Sequence, residues 1–169
     1  MLKQPRTLKS RALQLLAQRE QSKVELRRKL LVHARAAEAA AASEAGVSAP
    51  AGAEAQVDAV LAWLEANRFL SAARFAESRV NARAGRFGNL RIRHELAQHD
   101  VSLSPEAEQA LVDSELARAR AVRARKFSAV PDSAAEHARQ ARFLAARGFS
   151  SDAIRRVLRE ALRPDRADA

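Results

Sequence analysis

Apolar residues recur along most of the chain at intervals of three, four and seven positions, the spacing of one face of an α-helix. The first such face consists of Leu8, Ala12, Leu15 and Leu16. Ser22 and Glu25 then form a capping box, in which the Ser22 hydroxyl accepts from the Glu25 amide and the Glu25 carboxylate reaches back. This pattern predicts a second helix, with Leu26 and Leu30 facing inward.

Residues 34–55 interrupt the pattern, because they are rich in alanine and have no apolar stripe. We expect a helical extension that frays into a mobile linker. A third helix is predicted from about Gln56, followed by Phe69 and Leu70 as an apolar anchor. Its inward positions are Val57, Val60, Leu61 and Leu64.

The middle of the chain predicts two further helices separated by a short turn. The first of them contains Phe75, Arg79, Val80 and Arg83. Gly85 and Gly88 bracket the turn, and Ile92 and Leu96 repeat the apolar i, i+4 pair after it.

The last third of the chain begins with Ser104 and Pro105, which suit the N-cap and first position of a helix. We expect a separate helix over roughly Leu116–Lys126. After the break at Pro131, Ser133 and Glu136 form a second capping box. The last two predicted helices are one that contains Phe143 and Leu144 and ends at Gly148, and one capped by Ser150 or Ser151.

Three segments share the same pattern. Each has a capping residue, an aliphatic residue four positions after the cap, an arginine directly after the aliphatic residue, and a leucine eight positions after the cap. They are Ser22–Leu30, Gly88–Leu96 and Ser150–Leu158. We infer an all-α fold of tandem three-helix repeats in an elongated, curved, right-handed or solenoid-like array. The predicted units are residues 1–71 with the alanine-rich linker at about 34–55, residues 72–115 and residues 116–162, followed by a disordered tail at 163–169.

The composition excludes cysteine chemistry and a membrane-spanning helix. Cysteine is absent, which excludes disulfides, thiolate metal sites and cysteine nucleophiles. No run of 18 apolar residues occurs, which excludes a transmembrane helix, and no unbroken apolar stretch of a signal peptide follows the basic N-terminal segment. We therefore expect a cytoplasmic protein without a membrane partner.

The charge is strongly positive, with 30 Lys and Arg against 20 Asp and Glu and a formal net charge of +10. This surplus favours a polyanion or an acidic protein surface as partner. Basic segments at 1–35, 74–99 and 118–126 alternate with acidic segments at 36–73 and 100–117. Either these segments line up as a basic stripe, or the charges simply solubilise alanine-rich helices.

The sequence offers little for catalysis. His94 and His99 lie in H-E-L-A-Q-H, five positions apart, whereas a zinc protease needs its two histidines four apart on one helix face. The chain contains neither G-x-x-x-x-G-K-[ST] nor G-x-G-x-x-G, and no Ser-His-Asp arrangement follows from spacing. We expect no enzymatic activity, no metal and no cofactor.

Four segments carry a family resemblance. They are ALQLLAQREQSKVELRRKL (Ala12–Leu30), VLAWLEANRFLS (Val60–Ser71), RFAESRVNARAGRFGNLRIRHEL (Arg74–Leu96) and FLAARGFSSDAIRRVL (Phe143–Leu158). In this order they resemble the RecX family of bacterial recombination regulators, and the resemblance covers roughly Leu8 to Leu162.

The resemblance implies a small all-helical protein of tandem three-helix units without enzymatic activity. Members of the family bind the RecA recombinase filament on single-stranded DNA, lie in its groove and restrain its ATPase, strand-exchange and co-protease functions. We therefore expect a monomeric regulator of RecA, mainly an inhibitor, acting in DNA repair, homologous recombination and the SOS response. The alternatives are a helical module that binds single- or double-stranded DNA alone, and an adaptor that binds acidic proteins.

Arginine dominates the candidate contacts with RecA and DNA, because its planar guanidinium pairs with phosphates and carboxylates. The candidates are Arg27, Arg28, Arg74, Arg79, Arg83, Arg86, Phe87, Arg91, Arg93, Arg147 and Arg155. For each arginine the alternative is a solvated helix face, and for Arg74 it is also an ion pair with a carboxylate such as Glu77. Helix-packing roles are favoured over base stacking for the aromatic residues Trp63, Phe69, Phe75, Phe87, Phe127, Phe143 and Phe149.

Two further expectations concern the backbone of the Gly88-Asn89 turn and the basic side chains of the segment 118–126. The Gly88-Asn89 turn, at a helix N-terminus, is expected to expose backbone N–H groups that favour an anion. The basic residues of the segment 118–126 spiral around their helix, which predicts solvated side chains rather than one stripe. They are Arg118, Arg120, Arg123, Arg125 and Lys126.

Overall fold

The computed structural model describes residues 7–45 and 52–162, and within these ranges the regular structure is entirely helical, as predicted. The helices are α1 (Leu8–Gln18), α2 (Lys23–Ala45), α3 (Ala53–Ala66), α4 (Ala72–Ala84), α5 (Asn89–Ala97), α6 (Pro105–Lys126), α7 (Ala134–Ala146) and α8 (Ser151–Ala161). The predicted tail at 163–169 and the centre of the predicted linker, 46–51, lie outside the described residues.

The described chain divides into two compact units. The first contains residues 7–45, 52–75 and 99–101, and the second contains residues 76–98 and 102–162. The division falls within α4, directly after Phe75.

The first unit is built around α2, which packs along α3 while α1 packs against both. Its core contains Ala12, Leu15, Leu26, Leu30, Ala34, Ala53, Val57, Val60, Leu61, Leu64 and Leu70. These include the apolar positions predicted for the first three helices except Leu8 and Leu16, which are partly buried against the core. Burial of such side chains contributes about 25 cal/mol for each Å² of apolar surface removed from water, which holds the three helices together.

The alanine-rich extension predicted for α2 is helical in the structure. The helix continues to Ala45, and its Ala34 is buried with Ala53 of α3 in one core. The Glu38 carboxylate accepts from the Gly52 amide at 3.1 Å. The predicted helical extension is thus confirmed, with the side chains of residues 35–44 mostly exposed, but the predicted linker extends too far, because residues 53–55 already belong to α3.

The joint between α1 and α2 contains a buried carboxylate. Ser22 Oγ accepts from the Glu25 amide at 3.1 Å, which confirms half of the predicted capping box. The other half is wrong, since the Glu25 carboxylate binds the Arg19 guanidinium and lies 2.9 Å from Lys29 Nζ. Burial alone raises the pKa of Glu25, but hydrogen bonds from Arg19 and Lys29, together with their charges, outweigh it and lower that pKa from 4.5 to about 2.

The second unit is organised by α6, which contacts α5, α7 and α8. The prediction of two helices here is wrong, because α6 is continuous over its 22 residues and no glycine or proline interrupts it after Pro105. Ser104 caps it as predicted, accepting from the Ala107 amide at 3.3 Å. The core combines Ala119, Val122, Leu144, Phe149, Ala153 and Val157.

The three repeated segments each begin at a helix N-terminus, as predicted. Ser22 precedes α2, Gly88 precedes α5 and Ser150 precedes α8. The aliphatic and leucine positions face inward, with Leu26, Leu30, Ile92, Leu96 and Leu158 buried and Ile154 half-buried. The repetition in the sequence is thus a repetition of one capped, inward-facing helix.

We predict that Glu25→Gln lowers the free energy of unfolding by about 2–3 kcal/mol at pH 7. A carboxylate whose pKa is depressed in the folded state stabilises the fold above its unfolded pKa, and this contribution is lost as the pH falls towards the folded pKa. The difference between wild type and variant should therefore disappear between about pH 4.5 and pH 2. Urea denaturation at several pH values measures it.

Glu65→Gln is the matched control, since Glu65 pairs with Lys23 at 2.9 Å but both side chains are largely exposed. An exposed pair contributes less than about 1 kcal/mol. Equal losses in the two variants, or a Glu25→Gln difference that persists at pH 2, would contradict the assignment.

Candidate anion-binding surface

The predicted site lies beside a close contact of two backbones in the second unit. The Gly88 amide donates to the Arg147 carbonyl at 2.9 Å, and the Leu90 amide donates to the Gly148 carbonyl at 3.0 Å. A Cβ atom on Gly88 would lie 2.3 Å from the Gly148 oxygen and from Phe149 backbone atoms. Gly148, with φ of +80°, is equally confined, because its Cβ would lie 2.6 Å from Arg91. Both positions therefore require glycine.

A buried carboxylate joins the same two segments. Glu115 of α6 accepts from the Asn89 amide at 3.0 Å, from the Ser150 amide at 3.2 Å and from the Ser150 hydroxyl at 2.7 Å. It therefore caps α5 and α8 at once, and both helix N-termini favour its negative charge. The expectation that the Gly88-Asn89 turn offers these N–H groups to an external anion is wrong, because Glu115 and the carbonyls of the α7–α8 turn already occupy them.

The turn between α4 and α5 directs three successive carbonyl groups at arginines of other helices. Arg125 donates to the Gly85 carbonyl, Arg147 to the Arg86 carbonyl at 3.4 Å, and Arg118 to the Phe87 carbonyl at 2.9 Å. A carbonyl accepts a hydrogen bond without cancelling the charge of the guanidinium. Positive charge is thus gathered at this turn rather than neutralised.

Arg118 has a structural role that the sequence did not suggest. It also binds the Asn89 side chain and the Leu111 carbonyl, and it is half-buried. Burial lowers the pKa of Arg118 from its ordinary value, against the opposing charge of Glu115. The expectation of a solvated side chain is wrong for Arg118, since its donors fix the turn to α6.

Phe87 lies at the centre of the predicted arginines. The guanidinium carbon of Arg91 is 4.6 Å from the centre of the Phe87 ring, that of Arg83 is 5.6 Å away and that of Arg86 is 5.9 Å away. We call these four residues the Phe87 cluster. Among the described residues their one carboxylate partner is Glu95, which lies 2.8 Å from Arg83 and 3.5 Å from Arg91. The cluster therefore carries a surplus of positive charge, and Arg86 has no acidic partner among the described residues.

Arg147 lies against the same turn, and its guanidinium stacks on Phe143 at 4.4 Å. The structure thus brings together five of the predicted residues. They are Arg83, Arg86, Phe87, Arg91 and Arg147.

The other predicted arginines are not part of this cluster. In the second unit, Arg93 pairs with Glu108 at 2.6 Å and Arg155 with Asp152 at 3.5 Å, and Arg79 is half-buried. Their charges are partly cancelled where a carboxylate is this close.

In the first unit, Arg27 pairs with Asp58 at 2.8 Å. Arg74 pairs with Glu20 at 2.7 Å rather than with the suggested Glu77. Arg28 is exposed and has no ion pair within residues 7–45 and 52–162. Six of the ten predicted arginines therefore have a carboxylate partner, namely Arg27, Arg74, Arg83, Arg91, Arg93 and Arg155.

The described residues show neither a metal-binding cluster nor a membrane-spanning helix. They contain no group of three or more His, Asp or Glu side chains placed to hold a metal ion. None of their helices is long and apolar enough to cross a membrane.

Comparison with known proteins identifies the family of this chain. A family model of the second three-helix domain of RecX matches residues 73–111, and one of the third three-helix domain matches residues 113–158. The protein named Regulatory protein RecX in Ralstonia pickettii is 41% identical over 158 residues, which cover 92% of this chain and 89% of the relative. This chain belongs to the RecX family.

More distant and closer RecX proteins align over a similar length. The Leptothrix cholodnii protein is 45% identical, over 90% of this chain and 88% of its own, and the Neisseria gonorrhoeae protein is 30% identical, over 95% and 94%. All three relatives are named as regulatory proteins, not as enzymes. The two matched RecX domains meet inside the continuous α6.

We predict that Gly88→Ala lowers the free energy of unfolding by at least about 2 kcal/mol, because the added Cβ must displace backbone atoms of Gly148 and Phe149. Gly85→Ala is the matched control three residues away, where a Cβ meets nothing within 4 Å. It should change stability by no more than about 0.5 kcal/mol. Thermal and urea unfolding measure both, and equal effects would refute the backbone contact.

We predict that Arg118→Gln lowers the free energy of unfolding by about 2–4 kcal/mol, because it leaves the Phe87 carbonyl and the Asn89 side-chain oxygen without their part-buried donor. Arg86→Gln should change it by less than about 0.5 kcal/mol, since Arg86 is exposed and has no acidic partner among the described residues. Thermal unfolding of the two variants compares a structural arginine with one available for binding. Comparable melting temperatures would contradict this division.

Proposed function

We propose that this protein regulates RecA by binding the RecA filament on single-stranded DNA and inhibiting its ATPase, strand-exchange and co-protease activities. Membership of the RecX family and the regulatory name of its relatives support the proposal. It places the protein in the cytoplasm as a monomer, in DNA repair, homologous recombination and the SOS response. The three predicted units, at 1–71, 72–115 and 116–162, remain part of this proposal.

The observation that carries the mechanism is the positive surplus at the Phe87 cluster. The three guanidinium groups of the cluster gather around the Phe87 ring and share one carboxylate, Glu95, while backbone carbonyls orient the neighbouring Arg125 and Arg147. Such groups keep their charge and are held in place before a ligand arrives, so little side-chain entropy is lost on binding. A filament offers both phosphates and acidic protein surface to them, and guanidinium pairs bidentately with either.

Contacts from several arginines on one body add through linkage, although each alone is weak. We propose that the protein lies in the filament groove and bridges successive RecA subunits, which blocks filament growth or the conformational cycle that accompanies ATP hydrolysis. Binding to DNA alone is the competing proposal, and the experiment below separates the two.

The decisive measurement is the ATPase rate of RecA on single-stranded DNA during titration with this protein at physiological salt. We expect inhibition that saturates well below one protein per RecA subunit. An unchanged rate at equimolar protein would refute the proposed role. If the protein nevertheless bound bare DNA tightly at the same salt, the DNA-binding module would be the better description.

The double variant Arg86→Gln with Arg91→Gln should weaken filament binding and reduce its salt dependence. Each contact with a single-strand phosphate that is lost lowers the slope of log affinity against log salt by about 0.7. The control is Arg159→Gln, an exposed arginine of α8 outside the cluster. Filament binding that is insensitive to salt, or equal losses in the control, would exclude the cluster as the contact.

A further inference from the structure

Two aromatic rings form an exposed surface at the end of α3 in the first unit. The rings of Trp63 and Phe69 stack with centres 5.5 Å apart and planes 26° apart. Trp63 is half-buried against the core, whereas Phe69 is 46% exposed. We call the pair the aromatic platform. Phe69 is thus only in part the packing anchor expected from the sequence, because it stacks on Trp63 but is nearly half exposed to solvent.

A second turn in the same chain provides an internal comparison. The Phe69 amide donates to the Leu64 carbonyl at 2.9 Å after α3, and the Phe149 amide donates to the Leu144 carbonyl at 3.2 Å after α7. The two turns therefore end their helices in the same way, yet Phe149 is only 2% exposed. The turn itself does not oblige its phenylalanine to face solvent.

The residue before the phenylalanine also differs between the two turns. Gly148 has a φ of +80°, in the left-handed region that glycine adopts easily. Arg68 holds the corresponding place with a φ of +59°, where a side chain is disfavoured. Its guanidinium is exposed and has no hydrogen-bond or ion-pair partner within the described residues. An unfavourable backbone conformation is thus kept at a cationic residue that directly precedes the exposed phenylalanine in the chain.

Two more cations border the platform. Lys9 Nζ lies 4.5 Å from the centre of the Trp63 ring, and the Arg74 guanidinium donates to the Phe69 carbonyl at 3.0 Å. Lys9 covers Trp63, so the exposed face available to a ligand belongs to Phe69. Arg74 also pairs with Glu20, so Lys9 and Arg68 are the cations without a carboxylate partner at the platform among the described residues. An open aromatic ring with two such cations nearby fits a polymer that combines flat rings with phosphate groups.

We propose that the aromatic platform binds unpaired bases of single-stranded nucleic acid, with a base stacked on Phe69 and phosphates near Arg68 and Lys9. Duplex DNA is a poor ligand here, because its bases are already stacked and paired. The inference rests on the proposed function only for the choice of DNA as the polymer. It assigns a contact to the first unit, whereas the Phe87 cluster belongs to the second.

The single tryptophan of the chain is a built-in probe, since Trp63 belongs to the platform. Full-length protein is titrated with a dT20 oligonucleotide and with a duplex of equal length, and tryptophan fluorescence is recorded. We expect saturable quenching by dT20 and much weaker quenching by the duplex. Absence of quenching by dT20, or equal quenching by both, would overturn the inference.

Phe69→Leu removes the ring but keeps an apolar side chain at an exposed position. It should lower the affinity for dT20 about tenfold and leave that for the duplex unchanged. Phe127→Leu is the ring-removal control in the second unit, and it should leave dT20 affinity unchanged. Anisotropy of labelled dT20 measures affinity independently of Trp63, and circular dichroism checks folding.

Arg68→Gly separates binding from structure at the same turn. Glycine suits the left-handed conformation, so the melting temperature should stay equal or rise, while the affinity for dT20 falls several-fold. Unchanged affinity in both Arg68→Gly and Phe69→Leu would overturn the proposal.

The RecA ATPase titration distinguishes this inference from the proposed function. If wild-type protein binds dT20 through Phe69 but leaves RecA unaffected, the platform stands and the regulatory proposal fails. If Phe69→Leu keeps its dT20 affinity but loses filament binding, the ring contacts protein, and the single-strand inference fails while the regulatory proposal survives.

Discussion

The contact between Gly88 and Gly148 is the constraint on which the second unit depends. Two backbones approach so closely that neither residue has room for a Cβ atom, and their amides and carbonyls pair directly. This contact brings two helix N-termini to one point, where partial positive charge accumulates. The Glu115 carboxylate of α6 compensates that charge. A single carboxylate therefore joins three helices, and its burial is favourable because three donors satisfy it.

The same contact determines where the arginines point. With Gly88 held against the α7–α8 turn, the carbonyls of residues 85–87 face α6 and the end of α7, and the long guanidinium side chains reach them. Arg118 and Arg147 are both half-buried in this arrangement, whereas Arg86 is exposed. Structural arginines and the arginines proposed for binding are thus neighbours, so the charge of a residue does not reveal its role, but its partners do.

Sequence patterns predicted what depends on neighbouring residues. The caps at Ser104, Ser133 and Ser150 and the inward faces of the repeats follow from spacing within a few positions, and the structure confirms them. The continuity of α6 was missed, because two apolar groups on one long helix resemble two short helices. One signal was available for the glycine contact, since Gly88 stands where the other repeats have serine.

Partners distant in the chain escaped the sequence analysis. Glu115 and Ser150 are 35 positions apart, and Arg147 and Arg86 are 61 apart. Periodicity identifies the buried face of a helix but not the element that covers it. The same limit applies to Phe69 and Phe149, which follow similar helix ends but differ in exposure from 46% to 2%. Their difference arises from tertiary packing, to which a single-sequence pattern is blind.

A formal charge of +10 is therefore a poor guide to where a polyanion binds. Arginines such as Arg27 and Arg93 lie within hydrogen-bond distance of a carboxylate, and a phosphate must compete with that partner. Guanidinium groups oriented by carbonyls or aromatic rings face no such competition, because those partners are neutral and leave N–H donors and the full charge available. In a chain this rich in arginine, a candidate anion-binding surface is therefore better identified by guanidinium groups with neutral partners, such as carbonyls and aromatic rings, than by the number of cations.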